Sequence, residues 1–201
     1  MQPRVRWAVV TAALAVFLLL ALLLTLGSSL AALDQQVTQF LHARRTPWLS
    51  RAMLFVADAH ETVRILAATL LLALWFLYRG DRAGAATLAV VPAGQLLNVG
   101  LKHIFQRARP VVPEPLVHLA TYSFPSGHAV ASTLFDGAVC ALVLQRVRSR
   151  AWRVAAVAGA VAMVLLVTFS RVYLGAHYLS DVVAGIAVGA ACVVAVLRWG
   201  R

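Results

Sequence analysis

The stretch WAVVTAALAVFLLLALLLTLGSSLA, residues 7–31, carries no charged side chain anywhere along its length. A helix of that composition has no polar face to turn toward water, and it exceeds the roughly 20 apolar residues that cross a bilayer. It therefore reads as a membrane span. Arg4 and Arg6 precede it, as they would a secretory leader. Its apolar core, however, is much longer than the roughly 7–15 residues of a leader, so a retained first span is expected. Five further runs are long and predominantly apolar, at about 62–78, 84–101, 127–145, 152–170 and 180–197. The fold class is all-α: a polytopic membrane protein with six transmembrane helices. The run at 62–78 is the weakest, because Arg64 lies near its start; an earlier start near Met53 would put Asp58 and Glu61 at headgroup level. Pro92 is expected to kink the third span.

The whole chain agrees with this. Of 201 residues, 62% are hydrophobic and 12% charged, a balance that would leave a water-soluble domain covered in apolar patches. No repeat or domain boundary interrupts it, so residues 1–201 form one domain. The net charge of +11 does not mark a nucleic-acid binder, because the arginines cluster between apolar runs rather than along one face. Anionic lipid headgroups are the expected partners. Cys140 and Cys192 both fall inside apolar runs and read as small hydrophobes, not as a disulfide or metal site.

Orientation follows from arginine. With a cytoplasmic N-terminus, the inner side holds Arg4, Arg6, Arg79, Arg82, Arg146, Arg148, Arg150, Arg153, Arg198 and Arg201. The outer side holds Arg44, Arg45, Arg51, Arg64 and Arg107, apart from three cations in motifs described below. The positive-inside rule favours this arrangement, with both termini cytoplasmic. Between the first two spans, Leu33, Val37, Phe40 and Leu41 recur at helical spacing with Asp34, Gln35, Gln36 and Gln39 opposite. The pattern predicts a short amphipathic helix lying on the outer surface, followed by a turn at Pro47-Trp48. Pro110, Pro113, Pro115 and Pro125 predict an ordered outer loop between the third and fourth spans.

Three segments gather the polar chemistry, and all fall on the outer face in this topology. The first runs from Lys102, the one lysine in the chain, to Arg109-Pro110. Lys102 offers a compact charge and Arg109 a planar fork for two phosphate oxygens. The second is Pro125-Ser126-Gly127-His128 at a helix start, where a hydroxyl, free backbone N–H groups and a glycine form an anion site. The third runs from Ser170-Arg171 to His177 and Asp181. Four residues apart on a helix, His177 and Asp181 would share a face, the carboxylate taking one ring N–H and leaving the other nitrogen as a nucleophile. Separately, each segment also reads as a snorkelling cation, an N-cap or a surface ion pair; jointly they read as a phosphoryl-transfer site.

Lys102-(six residues)-Arg109-Pro110, Pro125-Ser126-Gly127-His128 and Ser170-Arg171-(five residues)-His177-(three residues)-Asp181 together resemble the full signature of the type 2 phosphatidic acid phosphatase superfamily. The motifs are intact, in family order, and span residues 102–181. The resemblance implies that His177 attacks phosphorus, Asp181 orients it, and His128 serves as acid and then base. It implies that Lys102, Arg109, Ser126, Gly127 and Arg171 hold phosphoryl oxygens, with no metal and no cofactor. The short loops resemble compact bacterial members that act on undecaprenyl pyrophosphate, phosphatidylglycerol phosphate or phosphatidate, in that order of preference here, at the outer face of the cytoplasmic membrane. A lipid phosphotransferase, a headgroup-binding transporter and a vanadate haloperoxidase are the alternatives. His103 and His118 are expected to be loop or interface residues, His42 and His60 have no assigned role, and Asp136 within the fourth span is expected to bond a neighbouring helix.

Overall fold

A computed structural model of the protein describes residues 2–27, 29–117 and 119–196. The described residues form nine helices and no strand: α1 (Pro3–Thr25), α2 (Leu30–His42), α3 (Pro47–Ala59), α4 (Thr62–Tyr78), α5 (Arg82–Leu88), α6 (Val90–Phe105), α7 (Gly127–Arg146), α8 (Arg150–Tyr173) and α9 (Leu179–Val196). Five rods are long and apolar enough to cross a membrane: α1, α5 with α6, α7, α8 and α9. A sixth appears when α3 and α4, bent by 45° at their break, are taken as one span. The second span thus starts well before residue 62, as a separate helix opened by Pro47 at its first turn. The third span breaks at Ala89. Pro92 explains the break, since it has no N–H for the Leu88 carbonyl and its ring crowds that oxygen.

Small residues let α7 and α9 pack closely. A Cβ added to Gly185 would lie 2.7 Å from the Ala129 Cβ and 2.8 Å from the Ser126 carbonyl oxygen. One turn on, a Cβ at Gly189 would lie 2.7 Å from the Thr133 Cβ. This is close backbone approach through a small-xxx-small pair, the usual way to bind two helices where lipid removes the hydrophobic drive. Val130, Leu134 and Ala138 of α7 join Ala184 and Val188 of α9, Val91 of α6 and Ile65 of α4 in the main core. Phe17 of α1 ties into it, its ring 6.0 Å from Phe105 and 5.8 Å from Phe124. Leu18, Leu71 and Val154 point outward, as suits lipid-facing positions.

Helix α2 exists as expected, but its two faces are mixed in exposure. Asp34 and Thr38 are buried, while Leu33 and Phe40 are exposed. Val37 and Leu41 pack against Ala129, Val172 and Val182. Asp34 thus faces protein, while Gln36 and Gln39 stay exposed. The reason is chemical: Asp34 has cationic and hydroxyl partners in the bundle, described next.

Candidate functional site

Four helix ends meet at one end of the bundle: the C-termini of α6 and α8 and the N-termini of α7 and α9. Helix α8 stops in a Schellman turn. Ala176 N–H donates to the Arg171 carbonyl at 3.0 Å and Gly175 N–H to that of Val172 at 3.0 Å. Gly175 takes φ +69°, the left-handed conformation this turn needs. The turn sets the spacing between Arg171, still helical, and His177, just beyond. His177 lies ahead of α9 and not on it, so a shared helix face does not bring it to Asp181. The pairing comes from the first turn of α9 instead, where Asp181 Oδ2 reaches back to accept the Tyr178 N–H at 2.9 Å.

Asp181 is fully buried and both its oxygens are engaged. Oδ1 accepts from Arg107 Nη1 at 2.6 Å. Oδ2 also accepts from the Ser123 hydroxyl. His177 Nδ1 lies 3.5 Å from that same Oδ2. On the other side of the ring, Nε2 lies 3.2 Å from Arg109 Nη1. A guanidinium only donates, so the network assigns the lone pair to Nε2 and the proton to Nδ1. Burial pushes the His177 imidazole down to about 4, against an upward pull from Asp181. The ring is therefore neutral near pH 7.

Arg109 is anchored by the loop: Nε donates to the Thr121 carbonyl at 2.7 Å, Nη1 to the Ala176 carbonyl at 2.7 Å and Nη2 to Thr121 Oγ1 at 2.9 Å. Burial holds its guanidinium below the usual arginine range, against the pull of Asp181. Lys102 Nζ donates to the Tyr122 carbonyl. Both motif cations thus order the outer loop as well as charging the pocket. Ser126 is the residue before α7, yet its hydroxyl makes no cap bond; Oγ is buried with no hydrogen-bond partner among the described residues. Arg171 Nε is in the same condition. A Cβ at Gly127 would rest 3.4 Å from Asn98 Nδ2 and 3.9 Å from Lys102 Cε, in ordinary contact. Nothing in the surrounding protein therefore demands glycine there. The His128 ring lies near the end of α3 and close enough to Arg171, His177 and Arg109 to feel their charges.

All eight expected residues thus gather in one place. Arg107, Asp34, Ser123 and Asn98 were not foreseen there. His103 packs edge-on to Tyr122 and not into the pocket. His60 ends α3, His42 ends α2, and His118 lies outside the described residues. The Oδ2 of Asp136 has no hydrogen-bond partner among the described residues, so the expected bond to another helix is not seen at that atom. Cys140 and Cys192 are free thiols within α7 and α9. Among the described residues, no group of three or more His, Cys, Asp or Glu converges as a metal site.

Comparison with known proteins gives a consistent picture. A family model described as the PAP2 superfamily matches residues 83–201. Phosphatidylglycerophosphatase B of Bacillus subtilis (strain 168) is 31% identical over 160 residues, covering 78% of this chain and 77% of that protein. "Putative undecaprenyl-diphosphatase YbjG" of Escherichia coli (strain K12) is 32% identical over 161 residues, covering 76% of this chain and 75% of its own. Among solved structures, a transmembrane PAP2 type phosphatidylglycerolphosphate phosphatase from Bacillus subtilis superimposes with a TM-score of 0.83 at 26% identity, over 91% of each chain. LpxE of Aquifex aeolicus shares the fold, with a TM-score of 0.62 at 19% identity over 80% of this chain and 92% of that one.

Proposed function

The chain belongs to the PAP2 superfamily, and from that premise we propose that it hydrolyses a lipid phosphate or pyrophosphate through a phosphohistidine, without a metal. The observation that carries the mechanism is the His177 ring: neutral, with Nδ1 toward Asp181 and the Nε2 lone pair beside the Arg109 guanidinium. Nε2 forms a bond to phosphorus as the P–O bond to the leaving group breaks, and the leaving oxygen takes a proton from His128. The imidazolium so formed is offset by the Asp181 carboxylate. Water then gives a proton to His128 and attacks phosphorus, the N–P bond breaks, and phosphate leaves with His177 restored. Arg109, Lys102 and Arg171 neutralise the phosphoryl oxygens, which is most of what phosphoryl transfer requires. The buried, unpartnered Ser126 Oγ and Arg171 Nε are donors suited to those oxygens, and glycine at 127 leaves room for one beside the α7 N-terminus.

The relatives are named for two lipid substrates that share a phosphate on an apolar anchor. Undecaprenyl pyrophosphate comes first here, because a site on the outer face of a bacterial cytoplasmic membrane meets the carrier released there; phosphatidylglycerol phosphate and phosphatidate follow. The arginine asymmetry supports that topology, with the N- and C-termini inside. Phosphate release from a panel of pure lipids in detergent tests the reading. Activity that survives chelator, stops with vanadate and disappears in His177→Ala is expected. Chelator-sensitive release, or release by His177→Ala, overturns it. A lipid phosphotransferase would pass labelled phosphate to a second lipid instead of to water.

A further inference from the structure

Arg107 occupies an unassigned position within the first motif segment and Asp34 lies outside all three, yet the two form a buried ion-pair network that reaches Asp181. Arg107 presents one arm of its fork to each of two carboxylates, Nη1 to Asp181 Oδ1 at 2.6 Å and Nη2 to Asp34 Oδ2 at 2.8 Å. Nη1 also meets Ser180 Oγ at 2.8 Å, and the guanidinium lies 4.1 Å from the centre of the Tyr178 ring. Asp34, on α2, is 1% exposed. Its Oδ1 accepts the Ser180 N–H at 3.0 Å, and its Oδ2 accepts the Ser180 hydroxyl. One helix outside the motif segments thus clamps the first turn of α9, where Asp181 sits. Two carboxylates buried around a single guanidinium hold each other in place: without Arg107 they repel, and without Asp34 the fork loses its second arm.

We propose that Arg107 and Asp34 are positioning residues for the reaction: they fix the Asp181 carboxylate and share its charge, so that Asp181 orients His177 without drawing a proton onto it. This rests on the phosphatase reading above. The charged and titratable groups that face His177 are Asp181 of α9, Arg109 of the outer loop, Arg171 of α8, His128 of α7 and, beyond Arg109, Lys102 of α6; Arg107 of the outer loop acts through Asp181, and Asp34 of α2 through Arg107. Arg107 is itself raised in proton affinity, because Asp181 and Asp34 outweigh the cost of its burial. It therefore stays a fixed positive charge across the working range.

The signs separate this role from a merely structural one. Arg107→Gln removes a cation beside Asp181, so the negative potential at His177 grows and its imidazolium is favoured. The acid limb of kcat/KM should move up by roughly half to one pH unit. Asp34→Asn removes a carboxylate, so its acid limb should stay or move down. In both, kcat should fall about 10-fold or more with KM for lipid changed less than 3-fold, since neither residue meets the substrate; the magnitude is that of a partner orienting a ligating or reacting histidine. Arg107→Lys keeps the charge but not the fork, so it should restore the acid limb while kcat stays low. Phosphate release from phosphatidate in detergent micelles, followed from about pH 3 to 9 for wild type and each variant, reads all of these. An acid limb that is unmoved in Arg107→Gln, or that moves the same way in Arg107→Gln and Asp34→Asn, overturns the proposal. If Arg107→Gln does not fold, Asp34→Asn and Arg107→Lys decide it: each should lose kcat with KM little changed and no upward move of the acid limb, and an upward move in either, or full kcat in both, overturns the proposal. His177→Ala in the same assay tests the phosphatase reading separately: activity there sinks the reading itself, whatever the other variants do.

Discussion

Gly185→Ala should loosen the contact that brings two catalytic segments together. The new Cβ would lie 2.7 Å from the Ala129 Cβ and 2.8 Å from the Ser126 carbonyl oxygen, against about 3.5 Å for relaxed carbon contacts. The second neighbour is backbone, so α7 and α9 must separate locally by about 0.7 Å rather than turn a side chain aside. Overpacking of this kind costs about 1–3 kcal/mol, and alanine's better helix propensity returns about 1 kcal/mol. The net is a loss near 2 kcal/mol at the rigid end of that range, or a fall of about 4–8 °C in thermal midpoint for a chain of this size. The displaced segment carries Ser126, whose N–H bonds the Asp181 carbonyl at 3.0 Å. Misplacement on that scale should also lower phosphate release by up to about 10²-fold. Gly159→Ala is the internal control. No atom lies within 4 Å of a Cβ there, so it should gain up to about 1 kcal/mol and keep full activity. Thermal unfolding in detergent and phosphate release on both variants make the comparison. A Gly185→Ala protein as stable and as active as Gly159→Ala would refute the close-packing argument.

Ser126→Ala should leave stability within about 0.5 kcal/mol, because the hydroxyl bonds no described protein group, while kcat/KM falls about 10²-fold for loss of one donor to the phosphoryl oxygens; unchanged turnover would remove Ser126 from the site. The acid limb of kcat/KM set by His177 should lie near pH 4 and not near 6.5, since the free enzyme keeps the ring neutral down to about 4. By linkage, the folded protein binds fewer protons than the unfolded chain between those values. The ring therefore costs nothing above about pH 6.5 and destabilises progressively as pH falls toward 4; a limb at 6.5 in a pH–rate profile would contradict the burial. Gly175→Ala should cost about 1–2 kcal/mol for the left-handed backbone, with further crowding of Arg45 Nη2 at 2.9 Å, and Gly175→Asn should cost less than alanine; equal denaturation midpoints for the two would argue against the Schellman turn.

The spans and the motif cluster were legible because they rest on strong local signals: long apolar runs with few charges, one lysine, and imidazoles at the edges of those runs. The burial of Asp34 on α2 was not. An amphipathic pattern tells which residues share a face but not whether the polar face meets water or another helix, and Asp34 found its partners in Arg107 and Ser180, far along the chain. A usable signal existed. With seven acidic residues against eighteen basic ones, each aspartate is scarce enough to expect a cation beside it. Arg107 was hidden by the same arithmetic in reverse, as one arginine among many. His177 was assigned to a helix by its spacing from Asp181, although Gly175 two residues earlier marked the end of one.

The meeting of four helix ends has a consequence for how such a protein can change. Every group assigned to phosphorus sits within about a turn of a terminus, where caps, loops and a clamp from α2 dictate geometry. The middles of the same rods carry Val, Leu and Ala in generic packing. On the proposed reading, head chemistry and tail contact would fall on separate storeys of the molecule. Apolar exchanges along the lower storey would then retune which hydrocarbon is tolerated while the reacting atoms stay where they are.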